Sequence, residues 1–405
     1  MDFDDTPEEA AFRAEARAWL EANAPRPGAP DAWAGMEGAP AGSGAFDEFV
    51  ERCKQWQRTL SDGGWACLTW PKEYGGQGLT SAHNMIFNQE VGQFGVTLGV
   101  LIPGLGFVGP TIIAHGSDEQ KARYLPPLVR ADEVWCQLFS EPGAGSDLAN
   151  LRTKAERDGD EYLVNGTKMW LTNGREAGLV VTLVRTDPDP ASRHRGMSVL
   201  LVEKEPGDRS GGITVGPNIH KLGYRGVETV ELTFDDHRVP ADMVLGGEEG
   251  QGFFQMMAAV ELGRINISAR AVGVAQRAFD ESIRYAQQRQ TFGKPIAEHQ
   301  AIQFKLAEMG TKLHAARLVC YDAARRKQRG ERSDLEAGMA KYFCSETCWE
   351  ICQEALRIHG GNGYAAEYPI ERLYRDAPLM IVGEGTSEIQ KLVIGRRLLE
   401  EHAVD

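Results

Sequence analysis

The sequence predicts an α+β protein in three parts: an N-terminal α-helical domain, a middle antiparallel β domain and a C-terminal four-helix bundle. Three observations predict it. A chain of 405 residues is long for a single core and asks for two or three packed units. Its apolar pattern changes period twice, from helical to alternating near Val134 and back to helical near Gly250. Asp-Gly, Asn-Gly and Gly-Gly turns gather in the middle part, as between short antiparallel strands. The expected boundaries are 1–133, 134–248 and 249–405.

The elements follow in order. Residues 7–22 read as an amphipathic helix: Thr6 can cap it, Pro7 starts it, and Phe12, Trp19 and Leu20 share an apolar face. The Pro/Gly/Ala stretch from Pro25 to Gly44 reads as a loop. Helical pattern resumes from Phe46 to about Val129, with a turn at Pro71 to Gly76. The β-rich runs are Glu161–Val164, Leu179–Val184, Met197–Val202 and Glu228–Phe234. Long helical periodicities then cover Val260–Gln288, Ala297–Arg329, Ser333–His359 and Ser387–His402, with short Gly- and Pro-bearing turns between them.

Composition narrows the function. Hydrophobic residues make up 42% and charged residues 25%, as in ordinary soluble proteins. No apolar run approaches the roughly 20 residues that span a bilayer. The start, Met1-Asp2-Phe3-Asp4-Asp5, lacks the basic-then-apolar order of a secretory signal, so a cytoplasmic location is expected. A net charge of −14 opposes general affinity for nucleic acid or anionic membrane. The seven cysteines include no CxxC pair, which argues against a disulfide framework or a zinc site. Cys344, Cys348 and Cys352 share one helix face and read as small apolar residues. No metal site is expected.

Four motifs carry possible chemistry. In Glu141-Pro142-Gly143-Ala144-Gly145-Ser146-Asp147, small residues let backbone N–H groups approach a ligand, though any polar turn reads the same way. In Met169-Trp170-Leu171-Thr172-Asn173-Gly174, a tryptophan near a hydroxyl suits a flat aromatic cofactor; alone, Trp170 reads more simply as core. Arg289 and Thr291 close one helix before His299-Gln300 open the next. They suit a pyrophosphate or merely complement a helix dipole. Glu384-Gly385-Thr386 places a carboxylate where it can act as a base. That stretch alone is read more simply as the lead-in to a helix capped by Thr386 or Ser387.

Taken together, in this order and on an α–β–α frame, these motifs with Gly360–Gly363 resemble the acyl-CoA dehydrogenase family along nearly the whole chain. The resemblance implies FAD as cofactor. It places Gln137, Ser140 and Ser146 at the isoalloxazine, and Trp170 and Thr172 over its rim and N5 side. Arg289, Thr291, Gln300 and the Arg357–Gly361 loop match residues that reach the FAD of a neighbouring subunit, while Thr386 and Glu388 match the segment lying along it. A homotetramer, as a dimer of dimers, is implied. Glu384 matches the base that removes the α-proton of an acyl-CoA while the β-hydride passes to flavin N5. The product is then a trans-2-enoyl-CoA, and electron-transferring flavoprotein is the implied acceptor. Ser146, Arg264, Gly385 and Arg396 match positions near the substrate.

Two departures qualify that match. A few relatives carry the base directly before the arginine of Glu261-Leu262-Gly263-Arg264, where this chain has Gly263. The residue before Glu384 is Gly383 rather than the usual aromatic. A wider acyl pocket is therefore expected, unless Phe94 or Phe254 fills the volume. His359 reads as structural. Rival readings are an acyl-CoA oxidase, a nucleic-acid-binding or scaffold protein of the same fold, and a half-active subunit of a mixed tetramer. Known oxidases are usually longer, and the acidic charge and Glu384 oppose the others. The sequence leaves the acyl group open.

Overall fold

The computed structural model describes residues 5–33 and 43–403. The expected acidic start and part of the Pro25–Gly44 loop, residues 34–42, lie outside them. Two compact units emerge: residues 1–220 with 225–259, and residues 221–224 with 260–405.

The first unit opens with α1 (Pro7–Asn23), where Thr6 and Glu9 form a reciprocal capping box, and α2 (Gly44–Asp62), capped by Ser43. Next come α3 (Ser81–Val91), α4 (Gly109–His115) and α5 (Asp118–Val129). The expected helical stretch is interrupted more than its pattern indicates. A single π-turn, Gly104–Val108, widens the helix just ahead of α4. It passes tightly against its neighbours: a Cβ on Gly104 would stand 2.8 Å from Leu128, and one on Gly109 2.2 Å from Trp70.

The sheet of this unit contains β1 (Val134–Leu138), β2 (Lys154–Asp158), β3 (Glu161–Thr172), β4 (Ala177–Arg185), β5 (Met197–Glu203), β6 (Arg209–Ser210), β7 (Ile213–Val215) and β8 (Thr229–Pro240). Its order is β1-β4-β2-β3-β8-β7-β6, with β5 also on β4. Most pairs are antiparallel, as expected, but β1 lies parallel to β4. The long excursion through β2 and β3 supplies the crossover that a parallel pair needs and a tight hairpin cannot give. Strand β3 is longer than its alternating run because register shifts between Val164 and Gly166, and between Lys168 and Leu171, carry it past two irregular points. Val180, Val184, Leu200, Val230 and Leu232 are among its core side chains.

In the second unit, α6 (Gly252–Gln288, whose first turns belong to the first unit), α7 (Gln300–Gln328), α8 (Asp334–His359) and α11 (Ser387–Glu401) are the four long helices foreseen. Two short ones, α9 (Pro369–Asp376) and α10 (Pro378–Val382), were not legible. Cys344, Cys348 and Cys352 pack into the apolar core with Ala271, Ala275, Leu313 and Ile351. His359 is buried, its ring stacked on Tyr285 at 4.2 Å with Nδ1 2.8 Å from the Ala355 carbonyl oxygen. No helix among the described residues is long and apolar enough to cross a membrane.

Candidate active site

The turn between α10 and α11 is built from residues in left-handed backbone conformation, Glu384 at φ +53° and Gly385 at φ +84°. Glycine accepts that conformation freely; a glutamate held there costs on the order of 1–3 kcal/mol. Neighbouring groups over-determine the turn. Gln390 donates its side-chain amide to the carbonyls of Glu384 at 3.4 Å and Gly385 at 3.1 Å. Thr386 caps α11 by accepting the Ile389 N–H at 3.3 Å. Lys341, fully buried on α8, donates to the Ile381 carbonyl at 2.9 Å. A side chain on Gly385 would begin 2.7 Å from the Gln390 amide nitrogen, so the turn requires glycine there.

Burial pushes the Glu384 carboxyl above its ordinary range, against the opposing pull of Arg270, Lys341 and Arg264. Lys341 is itself drawn down to about 8 by burial, with Glu346 and Glu384 among the charges that resist the fall. Arg264 is 9% exposed, and its Nε has no hydrogen-bond partner. A half-buried carboxylate kept basic beside cations is a group able to accept a proton. Glu261, two residues before Gly263, is already engaged. It accepts the Ser333 hydroxyl at 2.5 Å and pairs with Lys327 at 3.2 Å.

The first unit presents a different surface. Trp170 occupies the second irregular point of β3 at φ +68°, with 56% of its area exposed, so it is not a core residue. The Ser140 carbonyl accepts the Met169 N–H at 2.9 Å and ties the loop after β1 to this point. Beneath it lies a buried ion pair, Lys168 to Glu141 at 2.9 Å. Lys168 also donates to the Phe139 carbonyl at 3.1 Å, and Glu141 accepts the N–H groups of Arg152 at 2.6 Å and Thr153 at 2.8 Å. Burial would raise the Glu141 carboxyl, but Lys168 and these N–H donors hold it below its usual range. Burial draws Lys168 down to about 8, which leaves the pair ionised at neutral pH. Thr172 ends β3, and Asn173 donates to the Val100 carbonyl at 2.6 Å. The Gln137 side-chain oxygen is buried without a partner, whereas Ser146 is exposed.

Arg289 and Thr291 do not sit on a plain helix end. β9 (Gln290–Thr291) and β10 (Lys294–Pro295) form a hairpin whose tip, Phe292-Gly293, has both φ angles positive. Phe292 is 98% exposed there, and Thr291 meets His299 at 3.1 Å. Arg289, Gln300, Arg357, Gly361, Glu388 and Arg396 are exposed, and none is bonded to Glu384 among the described residues. The second unit thus gathers Arg264, Gly385 and Thr386 around Glu384, and leaves these six on the surface.

Sequence reasoning missed Arg270, Lys341 and Gln390. Arg270 follows Arg264 on α6, and its charge is among those that pull the Glu384 carboxyl down. A lysine among small residues, in Gly338-Met339-Ala340-Lys341, was the available signal for a buried ammonium. Packing at Gly383 is close on its own side. A Cβ there would meet the Leu379 carbonyl oxygen at 3.1 Å and the Ile267 and Leu379 side chains at 3.5 and 3.6 Å. Within the first unit, Phe94 lies buried under the Arg26 guanidinium, and Phe254 packs edge-on to His194.

Family models for the acyl-CoA dehydrogenase N-terminal, middle and C-terminal domains match residues 6–132, 136–237 and 250–399. The chain is 42% identical over 338 residues to (2S)-methylsuccinyl-CoA dehydrogenase of Cereibacter sphaeroides, covering 82% of this chain and 61% of that protein. Among solved structures it is similar to an acyl-CoA dehydrogenase from Geobacillus kaustophilus, with a TM-score of 0.82 and 34% identity over 97% of this chain and 98% of that one. It is also similar to a chain from the electron-transferring flavoprotein study of Acidaminococcus fermentans, with a TM-score of 0.81 and 32% identity over 98% and 100%. The chain therefore belongs to the acyl-CoA dehydrogenase family, FAD-dependent oxidoreductases acting on CH–CH donors.

Proposed function

We propose that this protein oxidises an acyl-CoA thioester to its trans-2-enoyl-CoA, with Glu384 as the base for the α-proton. The observation that carries the reading is the Glu384 turn. A carboxylate raised by burial is held in a costly backbone conformation by Gln390, Thr386 and Lys341. Such strain is kept where the position of a side chain matters more than local stability. The Arg264 side chain, buried and unbonded at Nε, would stand beside the reacting thioester together with Gly385, Ser146 and Arg396.

The residues present fit FAD. Trp170 offers an exposed ring, Gln137 an unpartnered buried oxygen, and Gly143 and Gly145 open space where a Cβ would stand. Gln137, Ser140, Ser146, Trp170 and Thr172 would hold the ring system, and Thr386 and Glu388 would lie along the rest. When bound, FAD supplies the acceptor for the β-hydride. Arg289, Thr291, Gln300, Arg357 and Gly361 would reach the cofactor of a second subunit, in a homotetramer arranged as a dimer of dimers. The exposure of Phe292, of Tyr364 at 86% and of Leu399 at 77% supports assembly, because such side chains gain by burial. Electron-transferring flavoprotein is the proposed acceptor. The segments 1–133, 134–248 and 249–405 are proposed as its domains.

The test is direct. The purified protein should be yellow with about one FAD per chain, and its flavin should bleach when a suitable acyl-CoA is added without oxygen. A colourless protein that cannot be reconstituted with FAD would contradict the reading.

A further inference from the structure

We propose that Glu228 is a positioning residue for the cofactor: through Arg175 it fixes the turn that follows β3, and with it the Thr172 hydroxyl assigned to the flavin. The proposal rests on the placement of Thr172 against the ring system given above.

Thr172 is the last residue of β3 and pairs in register with Thr229, the first residue of β8. Glu228 immediately precedes that partner, level with the turn that runs from Thr172 into β4. There one residue binds it twice. Its Oε2 accepts the Arg175 N–H at 3.0 Å, and its Oε1 accepts the Arg175 guanidinium at 2.9 Å. Glu228 is thus linked to Thr172 in two ways, along the ladder through Thr229 and across the turn through Arg175. Thr172 itself is half-exposed, and its hydroxyl has no hydrogen-bond partner among the described residues. That leaves it free for a ligand, with a direction set by how the end of β3 is held.

The turn does not need Glu228 to close. Ala177 donates its N–H to the Asn173 carbonyl at 2.9 Å, and Asn173, at φ +63°, is tied by its side-chain amide to the Val100 carbonyl. Gly174 leaves no room for a side chain, because a Cβ there would stand 2.5 Å from Leu171 and from Val230. On this closed turn the chain nonetheless places two buried charges, Glu228 and Lys204. Lys204 donates to the Ala177 carbonyl at 3.0 Å and to the Arg175 carbonyl at 3.4 Å. Burying charge is costly, and a buried ion pair adds little net stability over apolar side chains of similar size. What a two-point contact does supply is orientation. Arg175 also pairs with the exposed Asp208, a contact that solvent weakens, so Glu228 is the partner that sets its place.

A double-mutant cycle between Glu228→Gln and Thr172→Val, made in the FAD-loaded protein, tests this. Two properties are read: the rate of FAD release, by flavin fluorescence, and the visible absorption bands of the bound flavin. Each single change should speed release by about tenfold, the size of one lost hydrogen bond, and shift the bands in the same direction. If Glu228 acts through Thr172, the double variant should stay near the singles. A double variant near the product of the two effects, about a hundredfold, makes the residues independent and overturns the proposal. So does unchanged release in Glu228→Gln. Because that change strands the Arg175 guanidinium, the pair Glu228→Gln with Arg175→Met controls for folding. Its urea midpoint should return towards that of the wild type while FAD release stays fast. Recovery of both together would make the ion pair merely structural and overturn the proposal. If Thr172→Val alone changes neither property, the placement of Thr172 falls and takes the proposal with it, while flavin reduction by acyl-CoA in the wild type keeps the dehydrogenation. A wild type that takes up no FAD overturns the cofactor reading itself.

Discussion

At the scale of single residues, the behaviour of Glu384 follows from what surrounds it. Only the ionised carboxylate can take a proton, and burial raises the pKa of this group above the ordinary 4.5. The inactive, protonated form therefore persists to higher pH than it would on an exposed glutamate. Flavin reduction at saturating substrate should rise with pH through an inflection above that value, measured by single-turnover absorbance across pH. A rate that is flat down to pH 4.5 would mean that the titrating base is not this carboxyl. Glu384 was legible only through its family resemblance, because its local sequence reads more simply as the lead-in to a helix capped by Thr386 or Ser387. Arg270 was not legible at all. A charged residue on a long helix reads as a solvated face, and nothing in its neighbours announces that it will act on Glu384, more than a hundred positions later.

At the scale of elements, the Glu141–Lys168 pair joins the loop after β1 to strand β3 just below Trp170. Removing one partner strands the other charge in the interior, which typically costs about 3–5 kcal/mol. Lys168→Met should therefore lower stability by that order in denaturant unfolding and weaken FAD retention. The double change with Glu141→Gln should cost less than the single one, because no buried charge is left unpaired. Equal losses would show that the ion pair is not what holds the loop. The strand itself was visible as alternation, and Met169–Gly174 as a motif. The exposure of Trp170 was not, because it depends on a register shift against β8, about sixty positions away in the chain. Helix α10 was missed for a related reason. Five residues that begin at a proline and stop before a glycine are too few to display a period, and the buried lysine on α8 bonds its last turn.

At the scale of the whole molecule, the three-part pattern of helix, sheet and helix was legible because each part repeats its period many times. The packing of the first two parts into one unit was not, since it depends on contacts that no local period encodes. Assembly makes its own prediction. Arg289 lies at the base of the exposed hairpin carrying Phe292, and the proposed contact of that hairpin is with another subunit's FAD. Arg289→Ala should reduce FAD affinity and tetramer content together, seen by fluorescence titration and by sedimentation. Loss of FAD with the tetramer intact, or no change in either, would rule out the intersubunit contact.

The claim on which the rest depends is that Glu384 is the base, and stopped-flow flavin reduction in Glu384→Gln examines it most directly. Glutamine keeps the size and the hydrogen-bonding capacity of the side chain but cannot take the proton. FAD content and acyl-CoA binding should persist, while flavin reduction slows by about three orders of magnitude or more. A reduction rate close to that of the unaltered protein, with FAD and substrate both bound, would place the base elsewhere and contradict the account.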